Sequence, residues 1–189
     1  MTYPTELRAN IYQTLRWRPV TAGGIPHYST RDDVYDGMYI PAGTNVHPNQ
    51  WAIHRDPELY PDPDSFLPDR WLSSKYPTYR EPLTQYPNVQ NYSSFGFGRR
   101  ICPGMHIAER SLYILIARIA WACDIRKKIG PDGKEVDVPL YDYCDGFNVQ
   151  PNRFEFDLKA RSQKRWEVVK DAYEKEMDTD PLKSRWNER

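Results

Sequence analysis

Residues 95–104 read Phe-Gly-Phe-Gly-Arg-Arg-Ile-Cys-Pro-Gly, and an apolar segment, Met105–Ala122, follows at once. One cysteine, Cys102, thus sits in a glycine-studded loop directly before a predicted helix. A thiolate is the form of cysteine that ligates iron or zinc, and it forms only where the surroundings favour negative charge. A helix start is such a place, because its unpaired N–H groups and the positive end of its dipole point back at the preceding residue. Pro103 suits the first turn, since its φ is already set. Gly96, Gly98 and Gly104 remove side chains where the backbone turns sharply or approaches a flat ligand. Arg99 and Arg100 add forked donors suited to carboxylates.

The loop resembles the cysteine-loop signature of the cytochrome P450 family, the haem-thiolate monooxygenases. Phe95, Gly98, Arg100, Cys102 and Gly104 all fall at signature positions. The resemblance implies that Cys102 is the axial ligand of haem iron, that Arg100 pairs with a haem propionate and that Phe95 shields the sulfur. An axial thiolate pushes electron density onto iron and favours O–O cleavage. A lone cysteine ahead of a helix is otherwise a small buried residue. Five filled signature positions weigh against that reading.

Upstream, Glu6–Arg16 predicts a helix, with Leu7, Ile11 and Leu15 on one stripe and Pro19 as its stop. Gln13 and Arg16 are three residues apart and share a face. The family has a Glu-x-x-Arg pair here, completed by a later arginine that resembles Arg70 in Pro68-Asp69-Arg70-Trp71. Gln13 replaces the glutamate, so the resemblance implies two buried guanidiniums with a neutral amide between them. Losing one partner of a buried pair costs roughly 3–5 kcal/mol, less where the amide still accepts a hydrogen bond. Val20–Gly24 reads as a Gly-Gly turn on its residues alone. The resemblance implies that Val20, Thr21, Ala22 and Gly23 line the substrate pocket, and that His27 meets a haem propionate.

Val34–Val46 predicts short strands around an Asp36-Gly37 hairpin turn and a second turn at Pro41–Thr44. Gln50–Arg55 predicts a helical turn, and His54-Arg55-Asp56-Pro57 a capped turn with no catalytic part. Prolines at 61, 63, 68, 77, 82 and 87 exclude regular structure over Glu58–Ser94. Phe66, Leu67, Trp71, Tyr76, Tyr79, Tyr86 and Tyr92 make that stretch a packed meander rather than a linker.

Downstream, His106, Glu109, Arg110 and Tyr113 give the helix Met105–Ala122 a polar face near its start, with His106 at the surface. From Leu112 onward it is apolar nearly all round, which predicts burial. Asp124–Lys128 leaves the helix, Pro131–Gly133 turns, and Val136–Tyr143 and Phe154–Leu158 predict strands. Between those strands lies a tight turn, Cys144–Phe147, and the resemblance makes Phe147 a substrate contact. Residues 159–189 form a charged tail in which Trp166, Val169, Tyr173 and Met177 predict a surface helix before Asp180-Pro181.

The chain has 189 residues, with 26 acidic and 26 basic side chains, so charge makes no case for nucleic acid. Three widely spaced cysteines make neither a disulfide framework nor a zinc site, and Cys123 and Cys144 read as structural. No run is apolar and long enough to span a bilayer, and no signal peptide is visible. The resemblance implies a mostly α fold with small β-sheets, the carboxy-terminal part of the family's fold over residues 1–160, with a partly helical tail over 161–189. The family's membrane anchor and the long helix over the distal side of the haem are expected to be missing. The function implied is a monooxygenase inserting one oxygen atom of O2 into an apolar small molecule. It would carry haem b and take electrons from an NADPH-dependent cytochrome P450 reductase, the full-length parent lying at the cytosolic face of the endoplasmic reticulum. The wording of several segments is most like filamentous-fungal members. The alternative is a non-catalytic remnant that keeps family residues without holding haem.

Overall fold

The structure is a computed structural model, and it describes residues 5–79 and 92–179. The expected Tyr86 packing and the Asp180-Pro181 stop lie outside the described residues. The chain divides into two compact units, Met1–Tyr113 with Tyr141–Asn152, and Ile114–Leu140 with Arg153–Arg189.

The first unit is built on helix α1, Thr5–Trp17. Its buried residues are Arg8, Ala9, Ile11, Tyr12, Gln13 and Arg16, so of the expected apolar stripe only Ile11 is buried, Leu7 and Leu15 being half-buried, and polar side chains take much of the packed face. Two small antiparallel ribbons follow. Strand β1, His27–Tyr28, pairs with β4, Asn45–Val46, and β2, Asp33–Tyr35, pairs with β3, Met38–Ile40. Asp36 and Gly37 both have positive φ, 47° and 75°, the type I′ geometry that matches strand twist. Helix α2, Gln50–Ile53, is capped by Asn49, whose Oδ1 accepts from the Ala52 N–H at 3.3 Å. Gly24 has φ +71°, and a Cβ there would lie 2.4 Å from Pro48 Cγ, so only glycine lets the two segments close. A 3₁₀ turn, Pro68–Trp71, packs against α1. Tyr12 joins them by stacking on Trp71, centroids 5.8 Å apart, and meets Tyr92 at 5.3 Å.

In the second unit, strands β5, Cys123–Lys127, and β6, Phe156–Ala160, form an antiparallel pair in the register Cys123↔Ala160 to Lys127↔Phe156. Helix α3, Met105–Ala122, leads into β5, and helix α4, Gln163–Thr179, follows β6. The last carbonyls of α3 and the first of β5 are satisfied from the α4 side. Arg165 Nη1 donates to Trp121 O at 2.7 Å, and Arg161 donates from its backbone N–H to Ala122 O at 2.9 Å and from Nε to Cys123 O at 3.0 Å.

Four expectations are corrected here. Asp124–Lys128 does not simply leave the helix; most of it is β5, whose partner strand begins only at Phe156 and could not be read locally. Val136–Tyr143 is not a strand. Pro139 has no N–H to offer a ladder, and only isolated bridges, Ile129↔Glu135 and Tyr143↔Pro151, form nearby. The last strand is Phe156–Ala160, shifted two residues from Phe154–Leu158. The apolar half of α3 is also not enclosed: Ile114, Leu115 and Trp121 are 47%, 56% and 45% exposed. The mixture of helices and small antiparallel sheets is the one the sequence implies. No helix among the described residues is long and apolar enough to cross a membrane.

Candidate functional site

The cysteine loop is built from two short 3₁₀ turns, Ser93–Phe95 and Gly98–Arg100, separated by glycines in the left-handed region. Gly96 has φ 82° and Gly98 φ 63°, conformations that side chains rarely adopt. The loop closes on itself where the Cys102 N–H donates to Phe95 O at 2.8 Å, and the Met105 N–H reaches Cys102 O at 3.3 Å as α3 begins. Phe95 therefore meets Cys102 through the main chain. Cys102 is a free, exposed thiol. Gly104 lacks the positive φ of the other two, and a Cβ there would touch Cys102 Sγ at an ordinary 3.7 Å.

An open cavity of about 560 Å³ is lined by His27, Phe97, Gly98, Arg99 and Arg100. Strand β1 thus brings His27 to the loop across some seventy residues of sequence. A thiol at a helix start, an uncrowded backbone at Gly98 and two arginines with a histidine fit a flat, anionic, iron-bearing group.

The predicted pocket wall and the Phe147 loop also meet. The Val149 N–H donates to Val20 O at 2.7 Å, and Thr21 Oγ1 donates to Asn148 Oδ1 at 3.4 Å. Ala22 and Gly23 are held from the other side, their carbonyls accepting from the N–H groups of Trp51 at 2.9 Å and Asn49 at 3.1 Å. Ala22 lines a smaller cavity of about 180 Å³ with Arg18, Trp51, Tyr141 and Val149 among its neighbours. Phe147 itself is 61% exposed.

Beneath these surfaces lies a knot of buried polar groups. Gln13, Arg16 and Arg70 are fully buried, and all three donate to one carbonyl, that of Ser65, at 3.0, 3.1 and 3.5 Å. Arg16 Nε also donates to Gln13 Oε1 at 3.0 Å, and its Nη1 donates to His54 O at 2.9 Å and Pro63 O at 2.7 Å. Arg70 donates to the carbonyls of Pro61 and Asp62. Among the described residues no carboxylate forms an ion pair with Arg16 or Arg70. Burial, and after it the charge of Arg70, push the Arg16 guanidinium down to about 10.

His54, which the sequence gives only as part of a capped turn, closes helix α2. The side chain is fully buried. Its Nε2 lies 2.7 Å from Ser93 Oγ, and its ring stacks on Tyr92 at 5.5 Å and 18°. Burial, then the charges of Arg16 and Arg55, hold the imidazole down to about 4. The one available signal was position: Gln50 and His54 are an i, i+4 pair, and both are buried.

Comparison with known proteins places this architecture. A family model described as Cytochrome P450 matches residues 5–128. The chain is 38% identical over 173 residues to cytochrome P450 monooxygenase fogE of Aspergillus ruber, covering 91% of this chain and 32% of that protein. It is 40% identical over 167 residues to cytochrome P450 monooxygenase psoD of Aspergillus fumigatus, covering 88% and 32%. To cytochrome P450 monooxygenase 113 of Postia placenta it is 43% identical over 157 residues, covering 82% and 29%. A solved zebrafish cytochrome P450 with abiraterone superposes with a TM-score of 0.65 at 27% identity, over 83% of this chain and 34% of that one. The chain spans about a third of the length of the curated relatives it matches. The matched span runs through the arginine knot, the cysteine loop and α3, and the chain belongs to the cytochrome P450 family, a membership that implies a haem cofactor.

Proposed function

We propose that this chain supplies the haem-holding, iron-ligating part of a monooxygenase that inserts one oxygen atom of O2 into an apolar small molecule. The observation that carries the reading is Cys102: an exposed thiol at the start of α3, in a loop closed by its own N–H bond to Phe95 O. Haem b, when bound, supplies the oxygen chemistry, and an axial thiolate favours O–O cleavage. The protein's residues do the rest. Cys102 offers its sulfur to iron from the loop that leads into α3. Arg100 and His27 take the propionates from the cavity they share. Gly98 lets the ring approach the backbone. Val20, Thr21, Ala22, Gly23 and Phe147 form an apolar wall that orients substrate and excludes water. Gln13, Arg16 and Arg70 hold the chain beneath. Electrons come from an NADPH-dependent cytochrome P450 reductase, and the full-length enzyme lies at the cytosolic face of the endoplasmic reticulum.

The test is Cys102→Ser in the haem-loaded protein. The expected outcome is loss of the red-shifted Soret band of the ferrous carbonyl complex. Persistence of that band assigns the ligand elsewhere. A second reading draws on Gln13, which leaves two buried guanidiniums without a carboxylate among the described residues. In that reading the 189-residue chain keeps family residues without holding haem. Haemin titration of the unmutated chain separates the two: a thiolate-type spectrum supports the first reading, its absence the second.

A further inference from the structure

We propose that His54 is a positioning residue for the cysteine loop, holding Ser93, the residue from which that loop is built. Beside a Tyr60–Tyr92 side-chain bond, three side-chain bonds tie Tyr92–Ser94 to α1 and to the cap of α2. Tyr92 Oη donates to Tyr12 O and Ser94 Oγ to Leu15 O, each at 3.3 Å. The third, between His54 Nε2 and Ser93 Oγ, is the shortest at 2.7 Å. Ser93 opens the 3₁₀ turn that ends at Phe95, and Phe95 O receives the Cys102 N–H at 2.8 Å. A displacement of Ser93 therefore reaches Cys102 through two residues and one hydrogen bond.

The chemistry of the site explains why a histidine serves. The ring presents a face to Tyr92 and an edge to Tyr60, with centroids at 5.5 and 6.3 Å. Its Nδ1 is buried with no hydrogen-bond partner. A bare lone pair is tolerated there better than an orphaned N–H, so the proton sits on Nε2 and the ring donates to Ser93 Oγ. The charged groups facing the ring, Arg16 from α1 and Arg55 just after α2, are both cationic and favour this neutral form. The same residue accepts Arg16 Nη1 through its carbonyl at 2.9 Å. His54 thus fastens the loop to the arginine knot, its main chain to one and its ring to the other.

Amide hydrogen exchange of the 189-residue chain tests this without haem. His54→Phe keeps the stacking and deletes the donor. Ser93→Ala deletes the acceptor. Each should speed exchange over residues 93–102 about tenfold while α4 is unchanged, and the double variant should add nothing further. His54→Gln, which restores an N–H donor, should fall within about twofold of wild type. Unchanged exchange in Ser93→Ala, acceleration shared equally by α4, or no rescue by His54→Gln would overturn the assignment. Where His54→Phe fails to fold, Ser93→Ala decides. A second arm, resting on the monooxygenase reading, follows the ferrous-carbonyl Soret band of haem-loaded protein. His54→Phe and Ser93→Ala should both convert part of the thiolate-type band to the shorter-wavelength form, and an unaltered band in both overturns the link to Cys102. If wild type shows no thiolate-type band, the monooxygenase reading fails while the exchange arm still decides for His54.

Discussion

The two units of this chain use opposite means. In the first, the largest fully buried side chains are Arg16, Arg70, Ile11, His54 and Gln13, four of them polar. In the second, Ile114, Leu115, Trp121, Ile125, Phe156, Leu158, Trp166 and Tyr173 are all at least 45% exposed. The first unit is fixed by donors aimed at backbone carbonyls, where each lost bond leaves a buried group unsatisfied. The second is fixed by strand pairing, by surface ion pairs such as Lys127–Asp137 at 2.7 Å and by the Arg161 and Arg165 bonds to the end of α3. Exposed pairs of that kind contribute little singly. The difference teaches that hydropathy is a poor guide to which region of this chain resists substitution.

The sharpest way to break the comparison is Arg16→Leu. It strips donors from the carbonyls of His54, Pro63 and Ser65 and from Gln13 Oε1. The expected loss is about 3–5 kcal/mol by urea unfolding, and a loss below about 1 kcal/mol would mean the knot is not what holds the first unit.

The next effect is one of pH. His54 is held down to about 4 in the folded chain against an ordinary 6.5. Between those values the unfolded chain binds the extra proton, so stability is full above the higher one and falls as pH drops toward the lower. The loss should be roughly 2–3 kcal/mol between pH 7 and pH 4.5, taken as the difference between wild type and His54→Gln. Parallel stability curves for the two proteins would contradict it.

Gln13→Glu sharpens the comparison in the other direction. A carboxylate would take the Arg16 Nε bond as a charge-assisted one and offset two cations, though it surrenders the Gln13 donation to Ser65 O. A net gain of about 1–3 kcal/mol is expected, vanishing when Arg16→Leu is added in a double-mutant cycle. Smallest of all should be Trp166→Ser on α4, where a half-exposed ring predicts a change within about 0.5 kcal/mol. A larger loss would show that the second unit depends on its hydrocarbon after all.

Local chemistry made much of this legible from residue order. The spacing of Leu7 and Ile11 announces α1, Asp36-Gly37 announces its hairpin, and the glycines around Cys102 announce the loop. Non-local facts were not legible. Strand β5 depends on a partner beyond residue 155, and Cys123-Asp-Ile-Arg-Lys carries no alternation strong enough to declare itself. The apolar run of α3 says that the helix suits burial, but hydropathy says nothing of what covers it. The capped turn at His54 was legible but its burial was not, because the surroundings that enclose it come from Tyr60, Ser93 and Arg16, far apart in the chain.

The segment Pro61–Ser65 has no helix or strand of its own, and Asp62 holds φ 53°, a left-handed conformation just ahead of a proline. Arg16 and Arg70 between them grip the carbonyls of Pro61, Asp62, Pro63 and Ser65. Two side chains thus act as a mould for a run of main chain. A mould of this kind leaves the side chains of the moulded segment free to vary, since every residue type carries the same carbonyl. Over evolutionary time the arginines would stay fixed while Ser65 drifts, Asp62 being limited to residue types that tolerate its left-handed φ. The partner that gives the arginines their role would leave no trace in the letters of the sequence.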